Sequence, residues 1–205
     1  MAARRFPQPD VSFQARTMTT TGPPAFDRVV LQGLARWPDV PDAFGWLRLD
    51  RRGRWQLRNP ARGAFEGIGN AALRAFIGRN YAADAGGRWF FQNGPQRVFV
   101  QLAYTPFVVR LAGGTLLDQC DREFEVRTEY LDDEGSVVLE SSRGIALLDQ
   151  HDLAHYAEGL ENRLSRLPVL ARADVARRFG FDPDPGPVAK RRRMHAADSP
   201  GSGIG

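Results

Sequence analysis

The chain has 205 residues, 42% hydrophobic and 25% charged, with a formal net charge of +4. That length holds one ordinary domain or two small ones, and the apolar fraction excludes a wholly disordered chain. No apolar run approaches the ~20 residues of a membrane-spanning helix. The basic start Met1 to Pro9 lacks the apolar stretch of a secretory signal, and a lone cysteine, Cys120, excludes an internal disulfide framework. A cytoplasmic protein is the expectation.

Charge is unevenly placed. Residues 27–114 carry +7 and residues 115–185 carry −8, while the two ends are basic. Opposite fields on two lobes favour their docking on one another, or contact between copies in a homo-oligomer.

In chain order, residues 1–26 have proline, a threonine run and no periodicity, and read as disordered. Val29, Val30, Leu31, Leu34 and Trp37 then form a short helical or docking segment that Pro38 and Pro41 stop. Alternation from Trp46 to Arg58 marks a hairpin around Gly53, with Leu47, Leu49, Trp55 and Leu57 on a buried face. Arg48, Arg54, Gln56 and Arg58 lie opposite, in water. Asn70 suits the N-cap of a helix to about Arg79, with Ala72, Leu73, Phe76 and Ile77 as its apolar stripe. After a turn at Asp84–Gly87, Trp89-Phe90-Phe91 and Val98 to Leu102 form a second hairpin about Asn93-Gly94-Pro95. Pro106 interrupts before a strand at Phe107 to Leu111, and Gly113-Gly114 marks a lobe boundary.

The second lobe opens with strand signals at Phe124, Val126 and Thr128, turns at Asp132–Gly135 and returns along Val137 to Leu139. Ile145, Leu147 and Leu148 give another short strand. Helical spacing then links Leu153, Tyr156, Leu160, Leu164 and Leu167, and a last helix spans about Ala171–Phe179. From Asp182 a proline-rich run leads into a basic tail with Lys190 to Arg193. The Asp-x-x-Gly turns at Asp50 and Asp132, 82 positions apart, sit in similar strand-turn-strand layouts. The expected fold is therefore α+β: two small lobes of antiparallel hairpins, each with a packed helix, in a tandem repeated layout. Their bounds are 27–114 and 115–181, between a disordered segment 1–26 and a basic tail 182–205.

The order hairpin, helix, Gly87-Arg-Trp-Phe-Phe91, Pro95 to Leu102, Thr105-Pro106-Phe107 resembles an uncharacterised proteobacterial group of domains of unknown function. Gly53, Trp55, Gly87, Trp89, Pro106 and Phe107 carry the likeness. It covers residues 45–111 closely and 115–160 by layout. The resemblance implies tandem α+β modules with a role in signalling or ligand sensing, and brings no catalytic residues.

His151 and His155 stand at i and i+4, the spacing with which one helix face offers a metal two imidazoles; a hydrolase built on them is one alternative. Cys120 lies beside Asp121 rather than a cation or histidine, which disfavours a nucleophile. No Gly-x-Ser-x-Gly elbow or phosphate loop is present. Arginines alternate with aromatics at Arg54-Trp55, Arg58, Arg88-Trp89 and Arg97-Val98-Phe99, so RNA binding by the first lobe is a second alternative. The leading reading is a non-enzymatic regulatory module, needing no cofactor, that binds a small ligand or protein partner between its lobes. Arg48, Arg54, Arg58 and Trp89 are its candidate contacts.

Overall fold

A computed structural model describes residues 26–158 and 164–187. The fold is α+β and two-lobed, each lobe built on a six-stranded mixed sheet. The first sheet runs β3-β2-β1-β6-β5-β4, from β1 (Ala43–Leu49), β2 (Trp55–Arg58), β3 (Phe65–Gly67), β4 (Tyr81–Ala83), β5 (Trp89–Asn93) and β6 (Gln96–Leu102). The second runs β12-β9-β10-β11-β7-β8, from β7 (Phe107–Ala112), β8 (Thr115–Asp118), β9 (Thr128–Asp132), β10 (Val137–Ser141), β11 (Gly144–Leu148) and β12 (Val169–Leu170). Helices α1 (Arg28–Arg36), α2 (Ala71–Arg79), α3 (Leu153–Ala157) and α4 (Arg172–Arg178) complete the described elements, with a 3-10 turn at Gln150–Asp152 before α3.

Each sheet repeats one plan. A strand (β1 or β7) makes a hairpin outward, and a later antiparallel meander (β4-β5-β6 or β9-β10-β11) returns its last strand parallel to the first. The turn at Asp84 is therefore equivalent to that at Asp132, and the turn from Asn93 to that from Ser141, each pair 48 positions apart. The 82-residue spacing of Asp50 and Asp132 joins hairpins that are not equivalent, although their turns share a geometry.

Four turns have that geometry. Asp50, Asp84, Asp118 and Asp132 each accept, on Oδ1, the N–H groups of the residues two and four further on. The backbone carbonyl accepts the N–H three residues on, from a residue with positive φ. Gly53, Gly87 and Gly135 fill that position in three turns, and Asp121, with φ 58°, in the fourth.

Several sequence expectations need correction. The chain leaves the first sheet after Leu102 and enters the second at Phe107, so β7 belongs to the second sheet and Gly113-Gly114 forms the β7–β8 turn. Leu57 shares a face with Leu47 but is 42% exposed, because it lies toward the sheet's short edge strand β3. Asn70 caps α2 by accepting the Leu73 N–H at 3.0 Å, yet Ala72 faces water. Phe124 and Val126 precede β9 rather than lie within it. The helix from Leu153 ends at Ala157, and Leu160 lies outside the described residues. Residues 1–25 and the run Lys190–Arg193 also lie outside them.

The start of the expected tail is attached. The Asp182 N–H donates to the Gly87 carbonyl at 3.0 Å, and the Leu102 N–H donates to the Pro183 carbonyl at 2.8 Å. Gln101 Nε2 donates to Asp184 Oδ1 at 2.6 Å. After α4 the chain thus returns to the first lobe and ties the two together.

One apolar core spans both sheets. Trp55, Tyr81, Trp89, Phe107 and Phe124 follow one another at ring separations of 5.1, 4.8, 4.9 and 5.9 Å, crossing from the first lobe to the second. Burying each such side chain stabilises by about 1.5–3 kcal/mol, so this contact, rather than charge, holds the lobes together. Phe76 of α2 meets Phe91, and Phe179 after α4 meets Tyr130, so each lobe has its packed helix. No helix among the described residues is long and apolar enough to cross a membrane.

Candidate functional site

A cleft of about 890 Å³ opens between the lobes. One wall comes from the Asp50–Arg54 turn, Trp55 and α2; the other comes from β7, the Asp118–Arg122 turn and Asp149. The walls nearly touch at two glycines. A Cβ at Gly53 would stand 3.2 Å from Gln119 Cβ, and one at Gly78 would stand 3.0 Å from Cys120 Cβ. Gln119 is braced there, accepting the Val108 N–H at 3.0 Å and donating to the Pro106 carbonyl at 3.1 Å.

Five arginines line the cleft: Arg52, Arg54, Arg74, Arg79 and Arg110. Three are paired with carboxylates: Arg54 with Asp50 at 2.7 Å, Arg79 with Asp27 at 3.1 Å, and Arg110 with Asp121. Among the described residues, Arg74 donates only to the neutral carbonyls of Ile68 and Gly69, at 2.9 and 2.8 Å. The Arg52 side chain has no partner among the described residues, although its backbone N–H is held by Asp50 Oδ1 at 2.9 Å.

Asp118 is fully buried and satisfied, by the N–H groups of Cys120 and Arg122 and by Arg143 Nη1 at 2.6 Å. Asp149 receives the His151 N–H at 3.1 Å and faces His151 Nδ1 at the same distance. Trp55 is 1% exposed, and its buried indole N–H has no hydrogen-bond partner among the described residues. Burial, followed by the nearby Asp118 charge, pushes the Cys120 thiol up to about 12, so it is a neutral wall group and not a nucleophile.

The residues expected to form one site are spread over three places. Arg54 lines the cleft. Arg48 and Arg58 lie on the opposite face of the first sheet, their guanidinium carbons 5.6 and 4.6 Å from the Phe65 ring centre. Trp89 is 8% exposed, in the core between Tyr81 and Phe107. Sequence reasoning missed Arg52, Arg74, Arg79 and Arg110, which carry no local signature and meet only through the packing of α2 and β7.

The histidine pair is also split. His151 lies in the 3-10 turn and His155 in α3, and each faces its own carboxylate, Asp149 and Glu158, at 3.1 Å. Among the described residues, no group of three or more metal-ligating side chains comes together. The arginine–aromatic alternation has a structural use. Arg97 covers Phe90 and Arg88 covers Phe99, each at 4.7 Å, while Phe26 and Phe44 pack against the same rings. Those ring faces are occupied by the chain itself, leaving little surface for base stacking.

The fold and cleft define a class: a two-lobed α+β protein of repeated mixed sheets with an arginine-lined crevice at the lobe junction. The chain belongs to the family described as "Protein of unknown function (DUF2946)", which matches residues 26–186. This bears out the resemblance to a group of unknown function. A DUF1285 family protein from Silicibacter pomeroyi DSS-3 is similar at 15% identity and a TM-score of 0.43, over 58% of this chain and 72% of that one. Another DUF1285 family protein, from Shewanella baltica OS155, is similar at 14% identity and a TM-score of 0.41, over 55% of this chain and 90% of that one. No curated protein matches the chain.

Proposed function

We propose that this protein is a non-catalytic binding module, cytoplasmic and regulatory in role, that takes a small ligand in the cleft between its lobes. The observation that carries this reading is the cleft itself: about 890 Å³ with walls from both lobes. Clefts of roughly 300–1,000 Å³ at such junctions are the usual seat of small ligands. A ligand held there touches the Asp50–Arg54 turn, α2 and the Asp118–Arg122 turn together, so its binding free energy adds to the junction between the lobes.

The test is native mass spectrometry and thermal unfolding of the full chain against a metabolite mixture, in the wild type and in Ala75→Trp. Ala75 is exposed on α2 and lines the cleft, so the indole fills the space without entering the core. Retained ligand and a raised melting temperature in the wild type, both lost in Ala75→Trp, are expected. Ligands that bind both proteins equally, or no ligand at millimolar concentration, would overturn the proposal.

A further inference from the structure

We infer that the cleft selects a phosphate-bearing small molecule with an apolar or aromatic body, and that Arg52 and Arg74 are its charge contacts. The inference rests on the cleft being the binding site and adds the chemistry of its occupant.

Three observations carry it. First, the arginines of the cleft are not equivalent. Arg54, Arg79 and Arg110 are paired with Asp50, Asp27 and Asp121, whereas among the described residues Arg74 meets only carbonyls and the Arg52 side chain meets no partner. Two guanidinium charges in one crevice therefore lack an ion-pair partner among the described residues. Asp118 does not supply it, since it is buried against Arg143. Asp149 also lines the cleft but makes no ion pair with either arginine, its carboxylate accepting the His151 N–H.

Second, the backbone adds to the same field. The nine-residue helix α2 begins at the cleft with Ala71, and its first turn holds no acidic residue. The N-terminal end of a helix carries partial positive charge, which favours an anion, although here Asn70 already takes the Leu73 N–H. The Asp50 carboxylate meanwhile fixes the backbone that bears Arg52, so a free side chain projects from an ordered turn. A guanidinium offers paired N–H donors in the geometry of phosphate oxygens.

Third, a bare ion would not fill the space. The other lining groups include Ile68, Ala71 and Ala75 and the edges of the buried Trp55, Val108 and Val109, an apolar part of a cleft of about 890 Å³. A ligand that presents an anionic end to Arg52 and Arg74 and a flat or apolar body to this wall matches both parts.

The experiment is calorimetric titration of the full chain with adenosine 5′-diphosphate, inorganic pyrophosphate and adenosine. The proteins compared are the wild type, Arg52→Glu, Arg74→Ala and the control Arg62→Ala. Arg62 is exposed, pairs with Glu66 and lies away from the cleft. Adenosine diphosphate is expected to bind more tightly than pyrophosphate, and adenosine most weakly. Arg52→Glu and Arg74→Ala should each weaken the diphosphate at least about tenfold, with unliganded melting unchanged, and Arg62→Ala should have no effect. Diphosphate binding insensitive to Arg52 and Arg74, or no binding of either anion, would overturn the inference. If neutral metabolites still bind and are displaced by Ala75→Trp, the cleft reading survives and only the anion assignment falls.

Discussion

Arg51, on the first lobe's Asp50–Gly53 turn, donates through Nη2 to Ser136 Oγ of the second lobe at 3.1 Å. Its Nη1 lies 3.7 Å from Glu134, and its guanidinium stands over the ring of Tyr104, in the segment joining the sheets. Arg172 approaches the same ring and also pairs with Glu134. Beneath them, the Tyr104 hydroxyl donates to buried Asp132 Oδ2 at 3.0 Å. The two turns that look alike in the sequence thus meet at the lobe junction.

This junction separates a surface charge from a buried bond. Arg51 and Glu134 side chains are 39% and 55% exposed, so solvent screens their attraction and Arg51→Ala should cost only about 0–1 kcal/mol. Tyr104→Phe removes a buried donor from an ionised acceptor and should cost about 1–3 kcal/mol. Urea unfolding of both variants at low and high salt checks this. A larger loss for Arg51→Ala would return the docking of the lobes to electrostatics.

A second prediction concerns the contact between Gly78 and Cys120. In α2 an alanine is favoured over glycine by about 1 kcal/mol, but its Cβ would lie 3.0 Å from Cys120 Cβ and 3.2 Å from Sγ. Overpacking of this kind costs about 1–3 kcal/mol, so Gly78→Ala should destabilise. Cys120→Gly removes both atoms but leaves the backbone Cα at 3.2 Å, so in that background Gly78→Ala should cost less than in the wild type. Four denaturation curves measure the coupling. Additive effects would mean that α2 does not seat against this turn.

The contrast between these contacts and the hairpins shows what the sequence made legible. The Gly53 and Gly135 turns, the Asn70 cap and the break at Pro106 are local, set by φ, by a side-chain acceptor and by a missing N–H. The parallel pairings of β1 with β6 and β7 with β11 are not local, because alternation reveals a strand's faces without naming its neighbour. That is why Phe107 to Leu111 read as the end of the first lobe. The Asp118 turn escaped notice because Asp121 holds the position that glycine fills elsewhere. Trp89 and Arg48, expected together in the crevice between lobes, lie on opposite faces of the first sheet. The cleft was legible only as a crevice between lobes, since its arginines come from separate elements.

Cys120 gives a third prediction. Its pKa, pushed up by burial to about 12, keeps it a thiol near neutrality. Alkylation by iodoacetamide at pH 8 should be far slower in the native chain than in urea. Folding also favours the protonated form, so stability from this group is intact below pH 9 and is lost as pH rises toward 12. Equal alkylation rates in native and unfolded protein would show an open thiol.

A fourth prediction uses Asp84. Burial alone would raise its carboxyl, but the Arg88 side chain and the N–H groups of Arg88 and Gly86 outweigh this and hold it below 3.8. A depressed carboxylate stabilises above its unfolded pKa, and that contribution is lost as pH falls through the lower folded value. Asp84→Asn should therefore melt at a lower temperature at pH 7, with the gap narrowing below pH 3.8. A gap independent of pH would assign the effect to packing.

The last prediction concerns Gly87, which faces the returning chain after α4. Its φ is +74°, and a Cβ there would run into the backbone carbonyl of Gly180 and touch Phe181 Cα. Backbone cannot swing aside as a flexible side chain does. Gly87→Ala therefore combines left-handed strain of about 1–2 kcal/mol with a collision at the bond from the Asp182 N–H to the Gly87 carbonyl. The Gly180–Asp184 segment should lift from the first sheet, releasing the bonds at Leu102 and Gln101. Amide hydrogen exchange should show lost protection at Asp182 and Leu102, and limited proteolysis should cut near residue 182. Gly180→Ala provides the comparison, because it has positive φ of +65° but open space around its Cβ. It should pay only the backbone strain and keep the segment in place. If both variants lose protection equally, strain alone governs the segment and the close approach at Gly87 does not.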